Sequence, residues 1–183
     1  PGGTYLDPDT GDKWYIKTPK SADNARNEVL AGKLYEMAGV EVPEMTILDD
    51  GGVTKIASKI IDDLKENRAA LVKGNVPGAA EGFMTDVWLA NWDVVGMGFD
   101  NLLVKAGRAI RVDTGGALRY RAQGSLKGPN WNDKLDELKS LRSPGDNPQA
   151  ASVFGNLSHR SQVCCKTKLR WNSTRMMVIM SAT

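Results

Sequence analysis

The stretch Asn91-Trp92-Asp93, the pair Asp100-Asn101, and the run Asp113-Thr114-Gly115-Gly116 place oxygen-bearing side chains on both sides of a short apolar segment. One aspartate stands before a loop, an Asp-Asn pair closes that loop, and a third aspartate follows the apolar run. Leu102–Val104 and Ala109–Val112 read as two short strands, with Lys105-Ala106-Gly107 as the tight turn between them. A hairpin of this kind carries Asn101 and Asp113 to the same end. A side-chain amide and a carboxylate held there, with another carboxylate on the preceding loop, suit phosphoryl transfer. Two oxygen ligands hold magnesium on a nucleotide, and one carboxylate orients the attacking hydroxyl.

Other elements must position this hairpin. Tyr5-Leu6 and Lys13–Lys17 read as strands flanking the turn Asp7-Pro8-Asp9-Thr10-Gly11. Pro19 breaks the second strand just after Lys17, and Ser21 or Asp23 is placed to cap a helix. That helix runs from about Asn24 to Met37, with Val29, Leu30, Leu34 and Met37 as its expected apolar face and Gly39 as its stop. Thr46–Leu48 and Val53–Ile61 suggest a second hairpin turned at Asp49–Gly52, followed by a helix through Val72 and another over Ala80–Ala90. The latter is apolar at Phe83, Val87, Trp88 and Ala90. Beyond the candidate site come a glycine-rich loop and helices expected near Asp133–Leu141 and Pro148–Phe154.

Composition narrows the function classes. A chain of 183 residues with 41% hydrophobic and 25% charged content fits one compact domain or two small lobes around a cleft. No apolar run is long enough to cross a bilayer, and Pro1-Gly2-Gly3-Thr4 lacks the form of a signal peptide. The two cysteines, Cys164 and Cys165, are adjacent, which argues for a reducing, cytoplasmic compartment over a disulfide framework. One histidine, His159, leaves no material for a zinc cluster or a histidine-based triad. The net charge of +2 is unevenly spread. All 22 acidic residues and 19 of the 24 lysines and arginines lie at or before Asp146, a net −3. The acid-free end reads as a solvated basic tail over residues 156–183.

The order hairpin, lysine, helix with an inward acid, second hairpin, helices, then a loop and hairpin rich in metal-ligand residues resembles the protein-kinase-like superfamily. The likeness is greatest to its atypical bacterial, phage and lipid branches, the HipA-like and phosphatidylinositol kinases. It rests on Lys17, Glu28, Asp93 with Asn101, and Asp113-Thr114-Gly115-Gly116, where the kinase pattern has its metal-binding aspartate and glycine. It covers residues 1–155.

The resemblance implies an α+β, two-lobed fold with ATP and Mg2+ between the lobes. Residues 1–61 would form a small strand-rich N-lobe and residues 62–155 a reduced, mainly helical C-lobe. It implies that Lys17 binds the nucleotide phosphates and Glu28 holds Lys17 in place. Asp93 would aim the acceptor hydroxyl, while Asn101 and Asp113 would bind magnesium. Gly2, Gly3 and Thr4 would bring backbone N–H groups to the phosphates, and Ser58, Lys59 and Ile60 would form the hinge strand beside adenine.

Asp93 and Asn101 are separated by seven residues, where the usual kinase loop has four. This leaves Asp100 as an alternative to Asp93. Neighbouring side chains on an extended segment point apart, which favours Asp93. The expected activity is a minimal Ser/Thr protein kinase. A protein hydroxyl is preferred over a lipid as acceptor, because no membrane-binding helix or polybasic strip adjoins the site. A pseudokinase or nucleotide-binding interaction module, and an AMP transferase using the same ligands, are the competing readings. Nucleic-acid binding would rest on the basic tail and Trp171 alone.

Overall fold

The computed structural model describes residues 2–157, so Pro1 and nearly all of the basic tail, with His159, Cys164, Cys165 and Trp171, lie outside the described residues. The fold is α+β. A four-stranded antiparallel sheet has the order β1-β2-β4-β3, with β1 at Gly3–Leu6, β2 at Lys13–Lys17, β3 at Met45–Asp50 and β4 at Val53–Lys59. Helix α1, Ala22–Met37, packs across β3 and β4 through Ala25, Val29, Met45 and Ile56. Ser21 Oγ accepts the Asn24 N–H at 3.1 Å and caps the helix, and Gly39 leaves it in left-handed backbone at φ +75°.

The buried face of α1 includes Val29 and Leu34 as expected, but not Leu30 and Met37. Leu30 and Met37 are 47% and 40% exposed, while Asn27, Glu28 and Tyr35 are buried. At about 100° per residue, Leu30 and Met37 stand on the opposite side of the helix from Glu28. Turning Glu28 inward toward Lys17 therefore turns both of them outward.

The helical part follows. Helix α2 is a short Arg68–Val72 segment and α3 spans Ala79–Trp88. Helix α3 stops before the expected Ala90, which adopts left-handed backbone at φ +51°. The hairpin β5, Leu102–Lys105, and β6, Arg108–Arg111, turns at Ala106-Gly107, both at positive φ as a tight two-residue turn requires. Helix α4 is only Glu137–Ser140, a fraction of the expected 133–141, and α5 is Pro148–Phe154 as expected. One core joins these elements through residues that include Phe83, Val87, Val94, Phe99, Leu102, Leu141 and Phe154. The rings of Phe83 and Phe154 meet at 5.1 Å, and burying each contributes about 1.5–3 kcal/mol. A smaller cluster of Ala31, Leu34, Tyr35, Leu89 and Ala117 ties α1 to this helical part. No helix among the described residues is long and apolar enough to cross a membrane.

Candidate active site

Strand β2 ends in Lys17, whose Nζ lies 2.8 Å from Glu28 Oε1. The lysine side chain is 30% exposed and the glutamate 7%. Burial works against the Lys17 charge, but Asp113 and Glu28 together outweigh it and raise the ammonium above its ordinary value. Burial raises Glu28, and the like charge of Asp113 adds to that against the pull of Lys17. Asp93 is raised as well, first by burial and then by Asp113, with the Asn101 hydrogen bond opposing. Asp113 thus acts electrostatically on Lys17, Glu28 and Asp93 together.

The Asp113 loop is fastened to α1. Thr114 Oγ1 donates to the Glu28 carbonyl at 3.0 Å, and Asn27 Nδ2 donates to the Ala117 carbonyl at 2.9 Å. The Arg119 N–H returns a bond to Asn27 Oδ1 at 3.2 Å. Gly115 fills the tightest point. A Cβ there would stand 3.0 Å from Glu28 Oε2 and 3.1 Å from Asp113 Oδ1, so a bare α-carbon lets the two carboxylates converge. The Gly115 N–H donates to Asp113 Oδ1 at 2.9 Å, which compensates part of the repulsion between them.

Asp93 and Asn101 meet in spite of the long loop between them. Asn101 Nδ2 donates to the Asp93 carbonyl at 2.9 Å and to its carboxylate Oδ2 at 3.1 Å. Asp100 is exposed and its carboxylate turns back onto Gly96 and Gly98. The Val112 N–H donates to the Asn101 carbonyl at 3.0 Å, which brings Asn101 and Asp113 to one end of the hairpin. Asn147 Nδ2 donates to the Trp92 carbonyl at 2.7 Å and steadies the chain beside Asp93 from α5.

The expected nucleotide contacts are placed less simply. Gly3 and Thr4 lie in β1, paired with Ile16 and Tyr15, so they are ladder residues and not loop residues. Antiparallel pairing still sets Gly3 at the Lys17 end of the hairpin, and Gly2 sits against the Tyr15 ring. Ser58 is paired within the sheet to Tyr15 and Met45. The Lys59 N–H donates to the Glu44 carbonyl at 2.8 Å, and the Ile60 N–H to the Lys13 carbonyl at 2.7 Å, so neither amide is free to meet a base. The Lys59 ammonium pairs with Asp12 at 2.6 Å. A groove of about 810 Å3 lies on another face of α1, lined by residues including Lys33, Glu36, Val42, Met45 and Ile61. None of Lys17, Glu28, Asp93, Asn101 and Asp113 lines it.

A buried polar network behind the site has no counterpart among the sequence expectations. Arg111 and Asp86 have fully buried side chains and form a two-pronged pair, Nε to Oδ1 at 2.6 Å and Nη2 to Oδ2 at 2.7 Å. Tyr35 Oη donates to Asp86 Oδ1 at 2.9 Å and accepts from Asn91 Nδ2 at 3.0 Å. Tyr35 follows Glu28 by two helical turns, so one face of α1 carries both the lysine partner and this anchor. Burial, joined by the charge of Asp86, holds the Tyr35 hydroxyl well above its ordinary value, so it remains a neutral donor.

No family model matches this chain. Nor does any curated protein match it. Among solved structures, the N-terminal 618-residue fragment of LepB from Legionella pneumophila is similar, with a TM-score of 0.50 and 17% identity. The match covers 85% of this chain and 33% of that one, so the chain spans about a third of the fragment. At that identity the likeness concerns the fold alone.

Proposed function

We propose that this chain is an ATP- and magnesium-dependent phosphotransferase of the protein-kinase-like kind. In this reading the sheet with α1 is the strand-rich lobe and the later elements a reduced helical lobe. The observation that supports it most is the convergence of the Lys17–Glu28 pair at 2.8 Å, the Asp113 carboxylate beside Glu28 over Gly115, and Asn101 holding Asp93 at the same end of the β5–β6 hairpin. Glu28 and Asp113 set two carboxylates on the Lys17 ammonium, and Asp113 also acts on Asp93, so the negative charge there exceeds the positive, which suits a divalent cation.

Asp113 and Asn101 are the residues that would hold magnesium. The Asn101 amide N–H groups turn toward Asp93, which leaves its carbonyl oxygen as the donor for a metal. Among the described residues no three His, Cys, Asp or Glu side chains form a metal cluster. A two-ligand site completed by phosphate oxygens and water is the usual arrangement for magnesium on a nucleotide. When bound, the ion would neutralise charge developing on the phosphate oxygens. Lys17, held by Glu28, would bind the phosphates, with the backbone of Gly2, Gly3 and Thr4 alongside. Asp93 would accept a hydrogen bond from the acceptor hydroxyl, a role that its raised carboxylate serves well. The acceptor we favour is a Ser or Thr hydroxyl on a protein. At the hinge segment Ser58–Ile60, carbonyls would have to serve the base, because the Lys59 and Ile60 amides are already bonded.

The test is transfer of label from ATP to protein, with and without magnesium, in wild type and Asp113→Ala. Label from the γ-phosphate that requires magnesium and vanishes in the variant is the expected outcome. Equal labelling in Asp113→Ala would refute the assignment. Label from the α-phosphate alone would replace phosphoryl transfer by nucleotidyl transfer.

A further inference from the structure

Lys127 is 7% exposed and lies outside the catalytic set named above. Its ammonium has three N–H donors, and each meets a backbone carbonyl: Ala90 at 2.6 Å, Gly116 at 2.9 Å and Leu118 at 2.7 Å. These carbonyls come from two separate segments. Ala90 opens the segment Asn91-Trp92-Asp93, while Gly116 and Leu118 follow Asp113. Ala90 and Leu118 both adopt left-handed backbone, at φ +51° and +56°, a conformation that costs non-glycine residues about 1–3 kcal/mol each. Two strained turns therefore point their carbonyls at one cation.

The same juncture is tied by backbone. The Leu118 N–H donates to the Leu89 carbonyl at 2.6 Å, and the Lys127 N–H donates to the Arg119 carbonyl at 2.8 Å, where the loop 119–127 doubles back. The Trp131 ring lies 5.9 Å from the ammonium. Residues 114–132 contain no acid, so no carboxylate within this stretch competes for Lys127.

We infer that Lys127 is a positioning residue, its ammonium clamping the segment that leads to Asp93 against the loop that follows Asp113. This rests on the phosphotransferase reading, in which those two aspartates must keep a fixed separation. Without the clamp, two buried carbonyls and one part-buried carbonyl lose their donor, and two left-handed turns lose their common anchor. The loop after Asp113 then moves relative to Asp93, with both aspartates still present.

Titration supplies a readout that mere structural support does not share. Burial lowers the Lys127 ammonium from its ordinary 10.5 to about 8. The charged groups facing it are Glu137 of α4, which favours the ammonium, and Arg121 of its own loop, which opposes it. A lowered lysine means that the native protein binds fewer protons than the unfolded chain between about 8 and 10.5. This group therefore makes stability rise with pH in that window. Positioning has the opposite sign, because a neutral amine keeps two donors for three carbonyls and the clamp weakens as pH passes 8.

The experiment compares wild type, Lys127→Met and Lys127→Arg in magnesium-ATP turnover across pH 6.5–9.5, with thermal melts and amide hydrogen exchange on the same proteins. In Lys127→Met we expect kcat to fall by about 10²-fold, with the KM for ATP changed far less, as for a displaced catalytic group. Amides of residues 116–126 should exchange faster, while those of α3 and α5 stay protected. Wild-type turnover should drop above pH 8 without a matching loss of melting temperature, and Lys127→Arg, whose cation does not titrate there, should hold its activity. An unchanged kcat in Lys127→Met, or the same alkaline drop in wild type and Lys127→Arg, would overturn the inference. If wild type shows no turnover, the phosphotransferase reading fails first; unchanged exchange at 116–126 in Lys127→Met would then overturn the clamp as well. If Lys127→Met does not fold, Lys127→Arg decides by its pH profile.

Discussion

Asp86→Asn probes the network that holds the site together. Asp86 accepts two bonds from Arg111 and one from Tyr35, and neither Asp86 nor Arg111 has exposed side-chain surface. Asparagine keeps the shape and removes the charge. It also sets an NH2 group against a guanidinium that has only donors. Arg111 would then keep the carbonyls of Gly78 at 3.0 Å and Ala79 at 3.1 Å, which carry partial charge and cannot neutralise it. Breaking a fully buried pair from one side costs about 3–5 kcal/mol, a large share of the 5–15 kcal/mol that typically stabilises a domain. At roughly 2–4 °C per kcal/mol for a chain of this size, the melting temperature should fall by ~10 °C. Urea denaturation followed by tryptophan fluorescence measures the loss directly. Arg111→Met added to Asp86→Asn should recover part of it, because the unpaired charge is gone. A loss below about 1 kcal/mol, or a double variant no better than the sum of the singles, would refute the account of this pair as the fold's critical buried contact.

Gly115→Ala places a methyl at 3.0 Å from Glu28 Oε2 and 3.1 Å from Asp113 Oδ1. It should lower magnesium-ATP turnover by ~10-fold or more while changing stability by less than about 1 kcal/mol, because it shifts charged tips and not the core; a melt and a turnover assay on one preparation check both. Tyr35→Phe removes the hydroxyl that joins Asp86 to Asn91. It should cost about 1–3 kcal/mol in urea denaturation, because the buried Asn91 amide loses its acceptor. Hydrogen exchange should then rise in Asn91–Asp93, and an unchanged rate there would refute the coupling of α1 to this segment.

The legible features were those written in local chemistry. Pro19 and Ser21 mark where β2 ends and α1 begins, and Ala106-Gly107 demands a tight hairpin. That hairpin alone is enough to bring Asn101 and Asp113 to one end. Harder to read was the inward face of α1. Apolar periodicity points to Val29, Leu30, Leu34 and Met37, of which only Val29 and Leu34 are buried; the buried Glu28 contact, whose partner Lys17 lies on a strand, accompanies a rotation that leaves Leu30 and Met37 outside. Helix α4 is shorter than expected: residues 131–136 are exposed and gain no packing, and packing sets the length of a helix more than propensity does.

Local sequence by itself determined the antiparallel hairpins, the extent of α1 and α5, and the residue types able to serve a phosphoryl-transfer site. Tertiary structure decided which of them meet. The contact of Asp93 with Asn101 across seven intervening residues, the closing of Arg111 on Asp86, and the burial of Lys127 under three carbonyls all join segments with no local claim on each other. Such contacts form only when the whole chain has collapsed, because a charge leaves water only where its partners are already in place.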